Sequence, residues 1–198
     1  MKKKTHGVQL LIRAVVKDPD GKVLSDTGQK PAKSLVIAFL KFVSCLLGEY
    51  TEARSVSDDV MPIYTGGYDC SETFRANAGV TTSSWGIVVG TNDGPTAEDN
   101  ENFVLDTQLT HGVGPGNITY GAMVVGVPAV VGANVDTELI RAFTNNTGVA
   151  IDVKEAGIYV FSNLFTPRTF LIIRDVFGAI EVPDKCSLAI HYTLRTTV

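Results

Sequence analysis

The sequence is poor in the residues on which metal and redox sites depend. Its 198 residues include three cysteines and three histidines. Cys45, Cys70 and Cys186 lie far apart and no Cys-x-x-Cys spacing occurs, so neither a zinc site nor a redox pair is indicated. No histidine has a second histidine or cysteine at metal-ligand spacing. We therefore expect free or buried thiols and no cofactor.

Motifs for nucleophilic catalysis and phosphate binding are also missing. The chain has no Gly-x-Ser-x-Gly sequence. The segment "HGVGPG" (111–116) is rich in glycine, but neither Gly-Lys-Ser/Thr nor a helical pattern follows it. We read it as a loop between strands. The sequence therefore predicts a protein that is not an enzyme.

No segment has the length of a membrane span or the pattern of a signal peptide. The longest apolar stretch, residues 35–47, contains Lys41 and is too short to cross a bilayer. The N-terminal segment "MKKKTHGVQLLIRAVV" is interrupted by Gln9 and Arg13, and no small-residue cleavage site follows. We expect no membrane partner.

Charge is distributed unevenly along the chain, whose formal net charge is −4. Residues 1–50 carry nine basic and four acidic side chains, whereas residues 51–110 carry two basic and ten acidic ones. The acidic middle argues against nucleic-acid binding, which depends on neutralising phosphates. Contact between the basic segment of one subunit and the acidic segment of another is an alternative role for this asymmetry.

The first fifty residues predict a hairpin followed by a helix. Apolar and polar residues alternate from position 8 to 17, and the turn "DPDG" (18–21) precedes a returning strand, "KVLSD". A helix is predicted from Pro31, in its first turn, to Gly48, as its C-terminal cap. Its apolar residues surround nearly the whole circumference, so we expect burial on most sides. Leu35, Phe39 and Phe42 are the predicted core or oligomer contacts of this helix.

The rest of the chain predicts a mainly β protein. Residues 51–84 form a loop-rich excursion without a clear period. From residue 85 to 198, short alternating runs separated by turn signals predict strands at 85–91, 103–109, 117–126, 137–144, 149–160, 168–176 and 187–197. We expect one domain (1–198), formed by the 8–48 hairpin plus helix, the excursion and an antiparallel, jelly-roll-like β-sandwich.

Glu155 interrupts one of these strands in a way that allows two readings. The phase of the alternation slips at Glu155-Ala156-Gly157, which is the pattern of a β-bulge. In the structural reading Glu155 pairs with Arg141 or Arg174 and fixes strand register. In the catalytic reading Glu155 and Asp175 are the carboxylate pair of a glycosidase. We favour the structural reading because nothing else in the sequence indicates sugar cleavage.

One loop carries oxygen ligands that could bind calcium. The segment "TNDGPTAEDNEN" (91–102) combines carboxylate and amide side chains with a glycine, but it lacks the EF-hand order. Calcium is therefore the lesser alternative to the absence of a cofactor.

Three stretches together resemble virion structural proteins of tailed bacteriophages, a loosely defined group of tail and minor structural components. They are "WGIVVGTNDGPTAEDNENFVLDTQLTHGVGPGNITYG", "IRAFTNNTGVAIDVKEAGIYV" and "FLIIRDVFGAIEVPDKCSLAIHYTLRTTV". The resemblance covers residues 85–198 and lies in the order of phrases rather than in catalytic residues. It implies a β-rich assembly module without a reaction, located in the virion after synthesis in the host cytoplasm.

We accordingly expect a building block that associates with itself and with other virion proteins, at the capsid or the tail apparatus. The alternative is a receptor- or carbohydrate-binding module on the same particle, for which Tyr64 and Tyr68 are the candidate aromatics.

Overall fold

The protein is mainly β with one short helix. A computed structural model describes residues 7–33, 35–47, 51–63, 74–163 and 167–197. The strands are β1 (Gly7–Lys17), β2 (Val23–Asp26), β3 (Lys30–Pro31), β4 (Thr51–Arg54), β5 (Val60–Ile63), β6 (Gly86–Gly90), β7 (Thr110–His111), β8 (Asn117–Val125), β9 (Ala129–Val131), β10 (Asn134–Thr144), β11 (Ile151–Ser162), β12 (Arg168–Val182) and β13 (Ser187–Thr197). The helix, α1, comprises Ile37–Leu46.

The largest sheet joins the two ends of the described chain. Its strands follow the order β2-β1-β13-β10-β8-β7, with β3 beside β1 and β9 beside β10. β13 lies antiparallel between β1 and β10 and pairs with both along its whole length. The alternation predicted for β13 is present, because Leu188, Ile190 and Tyr192 are buried. In β1 both faces contribute buried residues, Ala14 and Val16 on one and Leu11 and Val15 on the other, whereas Val8 is exposed.

A second sheet carries the irregular strand that contains Glu155. Its order is β12-β11-β6, and all its pairs are antiparallel. The β11–β12 register shifts between Val153 and Glu155, and again between Ile158 and Tyr159. The first shift lies where the sequence predicted a bulge. A third sheet, formed by β4 and β5, occupies part of the region predicted to be loop-rich.

The helix is shorter than predicted and buries one face. Pro31 belongs to β3, and the predicted cap Gly48 lies outside the described residues. Leu35 forms a β-bridge with Ile173, and the Val36 N–H donates to the Ile172 carbonyl at 3.1 Å, so pairing with β12 delays the helix until Ile37. The buried stripe comprises Ala38, Phe42 and Cys45. Within the described ranges, no helix has the length and apolar character needed to cross a membrane.

The predicted strand at 103–109 is wrong. Leu105 and Leu109 are buried, which explains the strand-like pattern, but their segment forms a loop whose contact with β6 is a single bridge between Gly90 and Gln108. Side chains from the two larger sheets, the helix and this loop join in one hydrophobic cluster.

Candidate functional site

Glu155 lies on β11, the central strand of the three-stranded sheet β12-β11-β6. It is opposite Val176 of β12 on one side and opposite Gly90 of β6 on the other. Its side chain is fully buried. A buried carboxylate needs a cation or several hydrogen-bond donors to remain charged.

Arg174 supplies the cation. Its Nε donates to Glu155 Oε2 at 3.0 Å, and its Nη2 lies 2.9 Å from the same oxygen. Strand register explains why Arg174 reaches Glu155. Arg174 is opposite Gly157, and Gly157 lies on the same face of β11 as Glu155. Of the two arginines that the sequence offered as partners, Arg174 forms the ion pair.

Backbone donors complete the coordination of Glu155. The Thr107 N–H donates to Oε1 at 2.9 Å and the Asp106 N–H to Oε2 at 3.2 Å. The close approach depends on Gly90, where a Cβ atom would lie 2.5 Å from both Glu155 Oε1 and the Thr107 carbonyl oxygen. The carboxylate thus connects β11, β12 and the end of the polar loop (residues 91–107).

The other donors of Arg174 hold the polar loop itself. Its guanidinium donates to Asn92 Oδ1 (3.2 Å), Thr96 Oγ1 (2.7 Å), the Ala97 carbonyl (3.1 Å) and Asn102 Oδ1 (3.0 Å). Several oxygens of the segment considered for calcium therefore surround a cation that belongs to the chain. Among the described residues, no group of three histidine, cysteine or acidic side chains has a metal-binding arrangement.

Further contacts close the loop and attach it to its neighbours. The Gly94 N–H donates to Asp106 Oδ2 at 2.6 Å, and this bond is the main cause that lowers the pKa of Asp106. The Leu105 N–H donates to the Tyr159 hydroxyl at 2.8 Å. The Asn100 carbonyl accepts a bond of 2.8 Å from the first residue of α1, Ile37. The polar loop is therefore part of the packed structure.

Arg141 has a different role from the one predicted. It is fully buried, and its five N–H groups donate to five backbone carbonyls, those of Gly79, Thr82, Trp85, Ile87 and Gly121, at 2.5–3.1 Å. Its guanidinium also lies over the Tyr120 ring, 4.7 Å from the centroid. Burial lowers the pKa of Arg141 to about 10, so it stays charged at neutral pH. This arginine fixes the segment before β6 to β8.

Asp175, the second carboxylate of the catalytic reading, points away from Glu155. It is opposite Ala156, the neighbour of Glu155, so the two side chains leave opposite faces of the sheet. Asp175 accepts a hydrogen bond from the Lys33 backbone N–H. Burial first, and then the charge of Asp175, raise the pKa of the Tyr192 hydroxyl well above its usual value. The geometry therefore does not place these carboxylates on either side of one bond, as a glycosidase requires.

The predicted helix contacts occupy three different environments. Phe42 is buried against the rings of Phe74 and Phe170, with centroids 4.9 and 5.2 Å away. Phe39 is partly buried beside the core. Leu35 precedes the helix and is 39% exposed, so it is not a core residue of α1. The candidate aromatics of the binding-module alternative, Tyr64 and Tyr68, lie outside the described residues.

A groove of about 550 Å³ lies between residues 12–30, which include parts of β1 and β2, and residues 177–183 at the end of β12. Its walls are mostly apolar and include Ile12, Leu24, Phe177 and Ile180, and Lys30 and Glu181 also line it. Its size falls within the range of small-molecule sites, but it holds few convergent polar groups.

Sequence reasoning missed most of the partners in these two polar centres. Asn92 and Asn102 belong to the amide side chains that the sequence suggested as calcium ligands, but the cation that they contact is Arg174, from a strand far along the chain. Thr96, which also accepts a bond from Arg174, had no part in that prediction. The partners of Arg141 are backbone carbonyls, which every residue has, so no residue type in the sequence indicates them. The glycines were a usable signal, because a glycine such as Gly90 inside a strand often marks a close approach.

Comparison with protein-family models, with curated proteins and with solved structures finds no match to this chain.

Proposed function

We propose that this chain is a non-enzymatic structural component of a tailed-phage virion. Copies of the chain associate with one another and attach to the capsid or to the tail apparatus. The virion setting rests on the resemblance of the three stretches between residues 85 and 198. The self-association rests on the apolar surface that the fold leaves exposed, and this observation carries the proposal.

The first apolar surface is the valine arm (residues 124–131), which contains the end of β8 and all of β9. Val127 and Val130 are 83% and 79% exposed, and the other exposed valines of the arm are Val124, Val125 and Val131. Pairing with β10 places Val124 and Val131 on one face of this sheet edge and Val125 and Val130 on the other. Both faces of the edge therefore present exposed apolar side chains, which favours association.

The second apolar surface is the leucine face of α1, which consists of Ile37, Leu40 and Leu47 with Leu46 at its border. Leu40 is 61% exposed and Leu47 is 84% exposed. This face lies opposite the buried stripe of the helix, so intrachain packing leaves it open to solvent.

The polar centres support a role without catalysis. Both oxygens of Glu155 accept hydrogen bonds from the chain, and the carboxylate has no exposed surface. All five N–H groups of the Arg141 guanidinium likewise donate to backbone carbonyls. These charged groups stabilise the fold.

We further infer that the two larger sheets form the layers of a β-sandwich with jelly-roll-like connectivity. Contacts between side chains of one sheet and the backbone of the other support this interpretation. The Ile87 N–H of β6 contacts Met123 Sδ of β8 at 3.3 Å, and Asn145 Nδ2, beyond β10, donates to the Val182 carbonyl of β12 at 2.8 Å. The first and last long strands, β1 and β13, are neighbours in the larger sheet.

The virion assignment is tested by peptide mass spectrometry of purified tailed-phage particles encoded by the genome that carries this sequence. We expect peptides of this chain to remain with the particle through density-gradient purification. Their presence in the lysate together with their absence from purified particles would contradict the assignment. Disrupting the particles and separating capsids from tails would then show which of them carries the chain.

A further inference from the structure

We propose that the groove between β2 and the end of β12 is a contact between two copies of the chain, related by a two-fold axis. This inference rests on the self-association of the proposed function and adds a surface to the valine arm and the leucine face. We call it the groove surface (residues 23–30 and 177–183). A two-fold contact is isologous, which means that the same surface of each copy meets the other. The groove surface must therefore be complementary to itself.

Two open strand edges border the groove. β2 is the last strand of the larger sheet, and β12 is the last strand of the three-stranded sheet. Among the described residues, β2 pairs with β1 alone, and the outer edge of β12 has no strand partner beyond its bridge at Ile173. Consecutive residues of each strand line the groove, so backbone as well as side chains borders it. Open edges of this kind pair readily with another chain.

A bulge in β12 leaves room at this edge. One residue of β11, Lys154, lies opposite three residues of β12 (177–179). Bulges bend a strand and change the direction of its side chains. Gly178 and Ala179 are exposed, and a Cβ atom placed on Gly178 would meet no atom within 4 Å. The wall of the groove therefore has space for side chains of a second copy.

The lining of the groove and the strand beside it are both apolar. Ile12 and Ala14 of β1 and Phe177 of β12 belong to the lining. At the rim, Val23 is 50% exposed and Leu24 is 49% exposed. A two-fold contact would place β2 of each copy against the lining of the other copy. Both sets of apolar side chains would then leave water together, which favours association.

One positive and one negative side chain make the groove surface complementary to itself. Lys30 and Glu181 both line the groove, and both are exposed. Neither takes part in an ion pair with another described residue. In the two-fold contact, Lys30 of each copy faces Glu181 of the other. A small ligand of one charge would match one of these side chains and oppose the other, whereas a second copy matches both.

Charge reversal tests this arrangement. The variants are Lys30→Glu, Glu181→Lys and a double variant that carries both changes. Reversal is more informative than removal, because an exposed ion pair contributes little stability whereas like charges placed opposite each other oppose association. Each single variant creates like charges at both symmetry-related positions. The double variant restores opposite charges, and so does an equimolar mixture of the two single variants.

Both side chains are exposed, so we expect every variant to fold, and circular dichroism checks this. The matched control, Asp93→Lys, reverses an exposed carboxylate of the polar loop that lies outside the groove lining. Light scattering measures the mass of each protein and of the mixture.

We expect the wild-type oligomer to contain an even number of copies. Each single variant should have half the wild-type mass, because the two-fold contact is lost while other contacts persist. The double variant, the mixture and the control should keep the wild-type mass.

Two results would overturn the groove contact while leaving self-association intact. One is a wild-type mass for both folded single variants, which would leave the groove to a different occupant. The other is a lowered mass that neither the double variant nor the mixture restores. A monomeric wild type would overturn both the groove contact and the self-association of the proposed function.

Discussion

A single buried carboxylate connects three parts of the chain. Glu155 accepts hydrogen bonds from Arg174 on the neighbouring strand and from the backbone of Asp106 and Thr107 in the polar loop. Charge-assisted hydrogen bonds of this kind are stronger than neutral ones, and in a buried site they specify one arrangement of the backbone. The residue that resembles a catalytic acid in the sequence thus acts as a structural centre.

Replacing Glu155 by alanine should lower the free energy of unfolding by about 3–5 kcal/mol, because Arg174 would remain buried without its counter-charge. Denaturant unfolding followed by circular dichroism measures the change. The matched control is Glu181→Ala on β12, where the side chain is exposed and the expected change is within about 0.5 kcal/mol. Equal small costs for both variants would contradict the structural role of Glu155.

Gly90 should be intolerant of a methyl group. A Cβ at this position would lie 2.5 Å from a Glu155 oxygen and from the Thr107 carbonyl, so Gly90→Ala should cost about 1–3 kcal/mol through overpacking. Gly178→Ala is the control, because a Cβ there meets no atom within 4 Å. Thermal unfolding of the two variants gives the comparison, and a melting temperature for Gly90→Ala at or above that of Gly178→Ala would show that the close approach is absent.

At the scale of elements, Leu35 and Phe42 were predicted to share one role in the helix, but only Phe42 lies within α1 and is buried. Phe42→Asp should prevent folding, since it places a charge among Phe74 and Phe170 in the core. Leu35→Asp should fold, because Leu35 is partly exposed and its contact with β12 is through the backbone. Circular dichroism and solubility distinguish the two results. An unfolded Leu35→Asp variant would mean that Leu35 contributes to the core as first predicted.

The polar loop should depend on the shape of the Arg174 side chain. Arg174→Lys keeps the charge but loses the planar fork that reaches Glu155, Asn92 and Asn102 together. We expect amide hydrogen exchange of Asp106 and Thr107 to accelerate on the order of tenfold to a hundredfold, as for the loss of one or two charge-assisted bonds. Arg168→Lys, at the more exposed start of β12, serves as the control. Unchanged exchange in Arg174→Lys would show that the loop is held by other contacts.

The sequence predicted elements well where burial follows the period of one strand. The alternation of β13 and the bulge at Glu155 could both be read from residue order. The choice between Arg141 and Arg174 could not, because the register shift between Ile158 and Tyr159 displaces a simple count from the β11–β12 connection to Glu155. The strand predicted at 103–109 was wrong because a loop that inserts Leu105 and Leu109 into the core has the same spacing of apolar residues as a strand. The start of α1 depends on pairing with β12, which no local signal reveals.

At the scale of the whole molecule, the fold buries its charged centres and exposes apolar surface. Glu155, Arg174 and Arg141 lie inside, whereas valines of the arm and leucines of α1 face solvent. Buried charges and grouped exposed apolar side chains are the two features that distinguish this molecule from an ordinary monomer with a hydrophobic core. The exposed apolar groups are the physical reason for proposing that the chain works as a building block.

The most direct test of that account is the solution mass of the wild-type chain, measured by light scattering at two concentrations. The account predicts a discrete multiple of 21.2 kDa at both, because burial of the valine arm and the leucine face stabilises a defined oligomer. A mass of 21.2 kDa at both concentrations would contradict it and would mean that these apolar surfaces stay exposed in the free protein.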